Sequence, residues 1–392
     1  MRDGWQVVTL GALCNISKGT SPTQKTPPGR YPLIVTGPEP LSSDTFQFEG
    51  EAVCVPLVSS TGHGHASLKR VHYARGKFAV ANIIAACSPR DATDLDARYL
   101  FLYLQQFKDA EIVTRMKGTA NVSLSITNLA SVPVILPPLD EQRRIVDLVA
   151  AIGEAADAAD AEAAGADSLL RATLDASVCE ETAAIGSLAS VISGASWGKA
   201  DVRSVSEDGV TPVLTIANTK PDGSIRGELT LVHGLSAKVA RLTSNSLVAI
   251  RTNGNHDRIG NVYRVSEEHV GAAVSAFQFV IEPIESADSD YLFWMMRAPS
   301  SQGAMTAGAS GSTGLGNMAA GKLRKMRVPW PEDTGIRAAQ ASTFHSLENV
   351  ALSARAAAEA LRTLRSNLLT VLLSGDHEIP SSYDTLLEEK AT

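Results

Sequence analysis

Apolar residues recur along this chain in two regimes, one with the period of a helix seam and one with the texture of short strands. From Ile145, the positions Val149, Ile152, Ala156, Ala159, Ala163, Ala166 and Leu170 follow at alternating steps of four and three, the spacing of a coiled-coil seam. Two prolines, Pro137 and Pro138, and an acidic start, Leu139-Asp140-Glu141-Gln142, open the stretch. The pattern predicts one helix about 55 Å long, a strut too long for the inside of a small domain. Its seam is mostly alanine, and Gly153 and Gly165 each cost roughly 1 kcal/mol of helix propensity, so it needs a partner. The partner is expected near the end of the chain, where Leu347, Val350, Ala354, Ala357, Leu361, Leu364, Leu368 and Val371 repeat the spacing. That second helix starts after Pro329 and Pro331 and stops at Ser374-Gly375.

The segments before each helix read as strands and repeat one another. Leu10-Gly11-Ala12-Leu13 with Ser17-Lys18-Gly19 returns as Ile185-Gly186-Ser187-Leu188 with Ile192-Ser193-Gly194. In the same order Tyr31-Pro32-Leu33-Ile34 matches Thr211-Pro212-Val213-Leu214, Tyr99-Leu100-Phe101 matches Tyr291-Leu292-Phe293, and Val134 to Pro137 matches Met326 to Pro329. A repeat this long means duplicated domains rather than stacked solenoid units. Each copy reads as strand, polar loop, strand and short helix: Val53 to Val58 and Phe78 to Cys87 in the first, Ser246 to Ile250 and Ala273 to Ile281 in the second. The expected fold is therefore α+β, with two β-rich domains, each followed by a long coiled-coil helix, in an internal repeat. The boundaries are 1–136, 137–180 (central spacer helix), 181–328, 329–375 (C-terminal spacer helix) and 376–392, a polar tail expected to be disordered.

Composition bounds the rest. A length of 392 residues with 44% hydrophobic content fits a globular protein of more than one domain, and no apolar run reaches the roughly 18 residues of a bilayer span. The first ten residues lack a signal-peptide core, and four scattered cysteines fit a reducing compartment, so the chain is read as cytoplasmic, with no membrane contact. The net charge of −7 sits on the struts: residues 137–180 hold 3 basic against 10 acidic residues and 329–392 hold 5 against 9. Residues 1–136 carry 13 basic against 10 acidic and 181–328 carry 14 against 13, a balance that permits phosphate contact.

Several motifs fail on their own chemistry. His63, His65 and His72 lack a carboxylate or cysteine to complete a metal set, and no metal is expected. Gly194-Ala195-Ser196-Trp197-Gly198 has the spacing of a nucleophile elbow without the following helix. Gly316 to Leu323 nearly spells a phosphate loop, but Leu323 replaces the hydroxyl that would hold magnesium. No Asn-Pro-Pro-aromatic methyltransferase tetrapeptide occurs, and no catalytic residue is assigned.

Three stretches together carry a family resemblance. Trp5 to Gly11 with Lys18-Gly19-Thr20, then Gly118-Thr119-Ala120-Asn121-Val122-Ser123-Leu124, then Pro137-Pro138-Leu139-Asp140-Glu141-Gln142-Arg143-Arg144-Ile145-Val146 resemble the specificity subunit of type I restriction-modification systems. The ending Leu368 to Gly375 resembles the family's final helix. The resemblance implies two β-rich α/β target-recognition domains separated by two long antiparallel coiled-coil helices in a pseudo-twofold internal repeat, each domain reading half of an asymmetric split site in double-stranded DNA. It also implies recruitment of two methyltransferase subunits and of restriction subunits. No cofactor is expected in this chain; S-adenosylmethionine, ATP and Mg belong to those partners. Glu141, Gln142, Arg143 and Arg144 are the expected partner-binding residues. DNA contacts are expected from Lys18, Thr20, Ser21, Lys25, Ser60, Thr61, His63, His65, Lys117, Asn121 and Ser123 in the first domain. In the second they are expected from Trp197, Lys199, Asn218, Lys220, Arg251, Asn253, Asn255, His256, Arg258 and Asn317. Arg, Asn and Lys suit base edges, and Lys, Ser and Thr suit phosphates. The competing reading is an interaction scaffold of this family that has lost DNA recognition. It is favoured by the acidic total and by Pro329-Trp330-Pro331-Glu332-Asp333, which lacks the Glu-Gln pair.

Overall fold

Continuous apolar runs such as Ala52 to Val55 and Leu247 to Ile250 cannot face water on either side, so each must lie in a sheet covered on both faces. The computed structural model, which describes residues 4–61, 64–119, 121–177, 179–307, 315–380 and 383, has this arrangement twice. The chain divides into two units, Met1–Ala159 with Ala356–Thr392, and Asp160–Arg355.

The first unit contains β1 (Gln6–Thr9), α1 (Leu10–Leu13), β2 (Cys14–Lys18), β3 (Tyr31–Ile34), β4 (Leu41–Ser43), β5 (Phe48–Pro56), β6 (His72–Val80), β7 (Ile84–Pro89), α2 (Ala97–Phe107), α3 (Ile126–Ala130), β8 (Pro133–Leu136) and the start of α4 (Leu139–Ala176). The order in its main sheet is β2-β7-β5-β6-β3-β4, antiparallel throughout except for β3 beside β6, and β1 pairs with β8. The two-residue period assigns the faces. Val53, Val55, Ala85 and Cys87 pack on Tyr99 and Leu100 of α2, while Ala52, Cys54, Ile84 and Ala86 pack on Leu33, Ile34 and Phe78. Gly50 and Gly76 are directly paired and both at positive φ (105° and 75°), a backbone conformation that glycine adopts readily. β5 pairs with β6 from Phe48 opposite Phe78 onward, and at its other end with β7, where Pro56 lies opposite Ile84.

The second unit holds the remainder of α4, then β9 (Thr182–Ala184), α5 (Ile185–Leu188), β10 (Ala189–Ser193), β11 (Val202–Arg203), β12 (Val210–Leu214), β13 (Thr230–His233), β14 (Leu247–Ile250), β15 (Thr252–Asn253), β16 (Val262–Arg264), β17 (Ala273–Val274), β18 (Gln278–Pro283), α6 (Ser289–Arg297), α7 (Pro299–Ala307), β19 (Gly316–Asn317), α8 (Ala320–Lys325), β20 (Arg327–Pro329) and α9 (Thr334–Leu373). The pairings of the first unit return: β9 with β20, β10 with β18, and β12 parallel to β17. Leu247, Ala249, Phe279 and Ile281 face Trp294 of α6, and Val248, Ile250 and Val280 face Leu214 and Val274.

Both long helices are continuous, and each unit contains a length of both. In the first unit Ile145 and Val149 share a core with Leu369 and Leu372; in the second, Leu170 and Leu174 share one with Ala341 and Phe344. Within each unit they run antiparallel, with Arg365 Nε donating to the Val149 carbonyl (3.3 Å) while Arg144 donates to the carbonyls of Ile379 and Pro380 (3.0 Å each). Every seam position expected in α4 is buried or half-buried. In α9 the seam is shifted at alternate positions. Val350 (43% exposed) and Leu364 (51%) face outward, and Ala351, Ala358 and Arg365 turn inward in their place. At Arg365 the shifted seam takes in a long side chain opposite Gly153, whose missing side chain leaves room for it. The segment expected to be a disordered tail is packed at its start, since Ile379 is buried in the first core; residues 381–382 and 384–392 lie outside the described residues.

The start of each long helix is clamped to the short helix of its own unit. Gln142 is fully buried (0% exposed): its Oε1 accepts from Asp96 N (2.9 Å) and its Nε2 donates to the carbonyls of Asp94 (2.8 Å) and Pro137 (2.9 Å). The second copy lacks this glutamine and uses Arg337 instead. Its guanidinium donates to the Asp288 carboxylate (2.9 and 3.1 Å) and to the carbonyls of Pro331 (2.7 Å) and Glu332 (3.0 Å), beside the Trp330 ring.

Two outcomes follow from this packing. Gln142→Ala removes a fully buried side chain and the partner of three backbone groups, and should lower unfolding stability by about 3 kcal/mol. Arg337→Ala, which leaves Asp288 uncompensated, should cost roughly 3 to 5 kcal/mol, both read by urea unfolding. Burial pushes the thiols of Cys14 and Cys54 up to about 12 and that of Cys87 well above its ordinary value, while Cys179 is half-exposed. At pH 8 a thiol reagent should therefore label Cys179 in the folded chain, and the other three only after denaturation.

Candidate nucleic-acid interface

In each unit the polar loops leave the sheet from one edge, and the same backbone bonds build both edges. In the first unit the edge is formed by the ends of β2 and β5 and the start of β7. Gly19 N donates to the Ile84 carbonyl (2.9 Å), Ala81 N to Ile34 (2.9 Å), Leu57 N to Ile83 (2.8 Å) and Leu124 N to Leu57 (2.8 Å). In the second unit Gly194 N donates to Gln278 (3.0 Å), Ser275 N to Leu214 (2.9 Å), Arg251 N to Phe277 (2.8 Å) and Met318 N to Arg251 (2.9 Å). The two glycines are required by contact: a methyl group at Gly19 would collide with the carbonyl oxygens of Val80 and Ala81, and one at Gly194 with those of Val274 and Ser275.

Most first-domain candidates gather here. Lys18 closes β2, and Thr20 and Lys25 are exposed in the loop that follows. Ser21 is buried, receives a hydrogen bond from the Gln47 amide and anchors that loop rather than facing outward. Ser60, Thr61 and His65 lie on the loop after β5, where Lys69 N donates to Ser60 Oγ (3.1 Å) and Thr61 Oγ1 bonds Ser67 Oγ (2.9 Å). The loop carrying Lys117, Asn121 and Ser123 is joined to it: Lys117 and Ser123 exchange backbone bonds (2.8 and 2.9 Å), and Ser123 bridges Val58. His63 lies outside the described residues.

The second-domain candidates divide into an outer and an inner group. Arg251, Asn253, Asn255, His256 and Asn317 cluster where β15 pairs with β19. Arg251 Nε donates to Asn317 Oδ1 (3.1 Å), which also accepts from Thr252 Oγ1 (2.7 Å). The guanidinium carbon lies 5.5 Å from the centre of the Phe279 ring. Asn218 (3% exposed) belongs to the interior. Its Oδ1 accepts from Thr215 N and Oγ1 (2.9 and 3.0 Å), and its amide donates to the carbonyls of Gly227 (3.2 Å) and Glu228 (2.9 Å). All of its polar capacity is thus spent on the loop it sits in. Arg258 is likewise drawn inward, to the Thr219 carbonyl and the Tyr263 hydroxyl. Trp197 is half-buried against Val213, Val232 and Ala273, leaving Lys199 exposed beside it. Lys220 Nζ donates to the Ala217 carbonyl (2.6 Å) in a turn capped by Asp222, whose carboxyl is held below its usual range by hydrogen bonds from Ser224.

Sequence reasoning passed over Phe277, which is 51% exposed on the turn before β18, at the same edge as Arg251. An aromatic residue within an apolar run gave no sign of pointing outward. Of the expected partner-binding residues, Gln142 is the buried clamp described above, and Glu141 pairs with Arg144 (2.9 Å). Arg143 is the most exposed of the four. Among the described residues no three His, Cys, Asp or Glu side chains gather as a metal set, and no helix is long and apolar enough to cross a membrane.

Residues 2–158 match the family model of the type I restriction modification DNA specificity domain. Three solved structures share the fold over nearly the whole chain. The type I restriction-modification system S subunit from M. genitalium is 14% identical, with 96% of this chain and 97% of that chain covered and a TM-score of 0.57. The HsdS subunit from Thermoanaerobacter tengcongensis is 15% identical, with 96% and 98% covered and a TM-score of 0.52. A chain from a structure describing complex assembly and conformational transition of the type I R-M system is 15% identical, with 96% and 99% covered and a TM-score of 0.60. No curated protein matches the sequence. Residues 2–158 therefore resemble the type I restriction modification DNA specificity domain, and the chain along its length shares the fold of the three solved structures.

The glycine contacts can be tested directly. Gly19→Ala or Gly194→Ala should destabilise the chain by about 1 to 3 kcal/mol through overpacking against backbone atoms. Gly165→Ala, where nothing lies within 4 Å of the added methyl, should instead stabilise it by roughly 0.5 to 1 kcal/mol, all three read as shifts in the urea midpoint.

Proposed function

We propose that this chain is the DNA-specificity subunit of a type I restriction-modification complex and that each unit reads one half of an asymmetric, split double-stranded target. The observation that supports this most is the loop edge: one backbone frame occurs twice, bond for bond, and carries different polar side chains each time. A frame kept constant while its side chains differ suits two readers of two different sequences. Lys18, Lys25, Lys117 and Lys199 are exposed at or near these edges and suit phosphates, which position a protein on the duplex without carrying sequence information. Asn255, His256 and Arg251 offer donors and acceptors suited to base edges.

The chain supplies no catalytic group in this reading. Two methyltransferase subunits, holding S-adenosylmethionine, take the target base out of the stack and methylate it, and restriction subunits using ATP and Mg act on unmodified DNA. The complex works in the cytoplasm. The exposed side chain of Arg143, near the start of α4, offers a partner subunit a charge next to the clamped helix end. The long helices act as spacer: at 1.5 Å per residue α4 is about 57 Å long, and a rod of set length selects half-sites at a set separation.

Base-resolution methylation mapping in cells with and without the gene tests the assignment. A two-part motif methylated only when the gene is present is the expected result, and an identical methylation pattern in both strains would count against it. Inserting four residues near Ala158 should change the gap between the half-sites and leave both half-sites intact. Binding of the assembled complex to its target should weaken steeply as salt rises; absent or salt-indifferent binding would favour the interaction scaffold instead.

A further inference from the structure

The two copies share their backbone bonds, so a side chain present in one and missing from the other cannot be required by the frame. Arg251 and Leu57 occupy the same place. Each N–H donates to the carbonyl just before the following strand, Phe277 or Ile83 (2.8 Å in both), and each carbonyl accepts from the closing loop, Met318 (2.9 Å) or Leu124 (2.8 Å). One step along, Thr252 pairs with Asn317 as Val58 pairs with Ser123. A leucine serves this position in the first unit, so folding does not explain the arginine in the second.

What surrounds Arg251 holds its plane without neutralising it. Among the described residues no carboxylate lies within ion-pair distance. Nε is used internally, on Asn317 Oδ1 (3.1 Å), and that oxygen is fixed in turn by Thr252 Oγ1 (2.7 Å). The guanidinium is placed over the buried Phe279 ring (5.5 Å), and Nη1 makes only a long contact with Ser193 Oγ (3.5 Å). The two terminal nitrogens remain, coplanar and at fixed spacing, at the edge where the loops emerge. A rigid pair of cationic donors matches the O6 and N7 acceptors that guanine presents in the major groove, and no other base offers two acceptors side by side there.

We infer that Arg251 reads a guanine in the half-site of the second unit, with Asn317 and Thr252 as positioning residues that hold its plane. The inference rests on the DNA-reading function proposed above and names one base of its target. The first unit, with Leu57, Val58 and Ser123 at these positions, has no such reader there.

Methylation mapping in cells carrying Arg251→Leu and Asn317→Ser, each the residue found in the first copy, provides the test. The wild-type second half-site should contain a fixed G·C pair. Arg251→Leu should relax that one position by roughly ten- to hundredfold, with the other positions and the first half-site unchanged. Asn317→Ser should relax the same position to a smaller degree. A second half-site without a fixed G·C pair, or one that Arg251→Leu leaves intact, overturns the inference while DNA reading stands. If Arg251→Leu abolishes methylation, binding of the purified wild-type complex to duplexes differing only at that base pair decides: equal affinity for all four overturns the inference, and a preference for G·C that Asn317→Ser weakens supports it. A wild-type gene with no methylation target of its own overturns the DNA-reading function, and this inference with it.

Discussion

A carbonyl-to-glycine approach at the sheet edge governs everything built above it. Gly19 and Gly194 let the strand end lie against the turn that precedes β7 or β18, close enough that a methyl group would meet the backbone oxygens of that turn. Within the first unit the loops after β2 and β5 leave together because both strands are bonded to β7, and within the second those after β10 and β14 do so because both are bonded to β18. Loop position is therefore set by backbone hydrogen bonds, and loop side chains are free to differ. Leu57 and Arg251 are the clearest instance, since both donate and accept the same two bonds and have nothing else in common.

The helices obey a different constraint, one of size. Alanine at Ala156, Ala163, Ala351 and Ala358 buries little area per residue but permits close approach, and close approach lets Arg365 reach a helix carbonyl opposite Gly153. Such a seam gains little from any one contact, so the helix starts must be secured independently. Gln142 and Arg337 do this by unlike chemistry. The first is a neutral amide satisfying three backbone groups, and the second a cation shared between a carboxylate and two carbonyls. What looked in the sequence like an eroded motif in the second copy is the same clamp made from another residue.

The amino-acid sequence by itself determined the duplicated plan, the two long helices and the β-rich character of each domain, because these depend on local periodicity and on repeats that survive in order. It located the polar loops as well, since Gly, Asn, Ser and Lys clusters break the strand pattern wherever they fall. It was weaker wherever a polar residue can be spent inward. Asn218 looked like a base contact until its four internal hydrogen bonds were visible, Gln142 looked like a partner contact until it proved buried, and Phe277 looked like core. Only the tertiary structure decided these, along with the seam of α9, because they depend on which carbonyl lies opposite, a matter of distance in space that spacing along the chain does not encode.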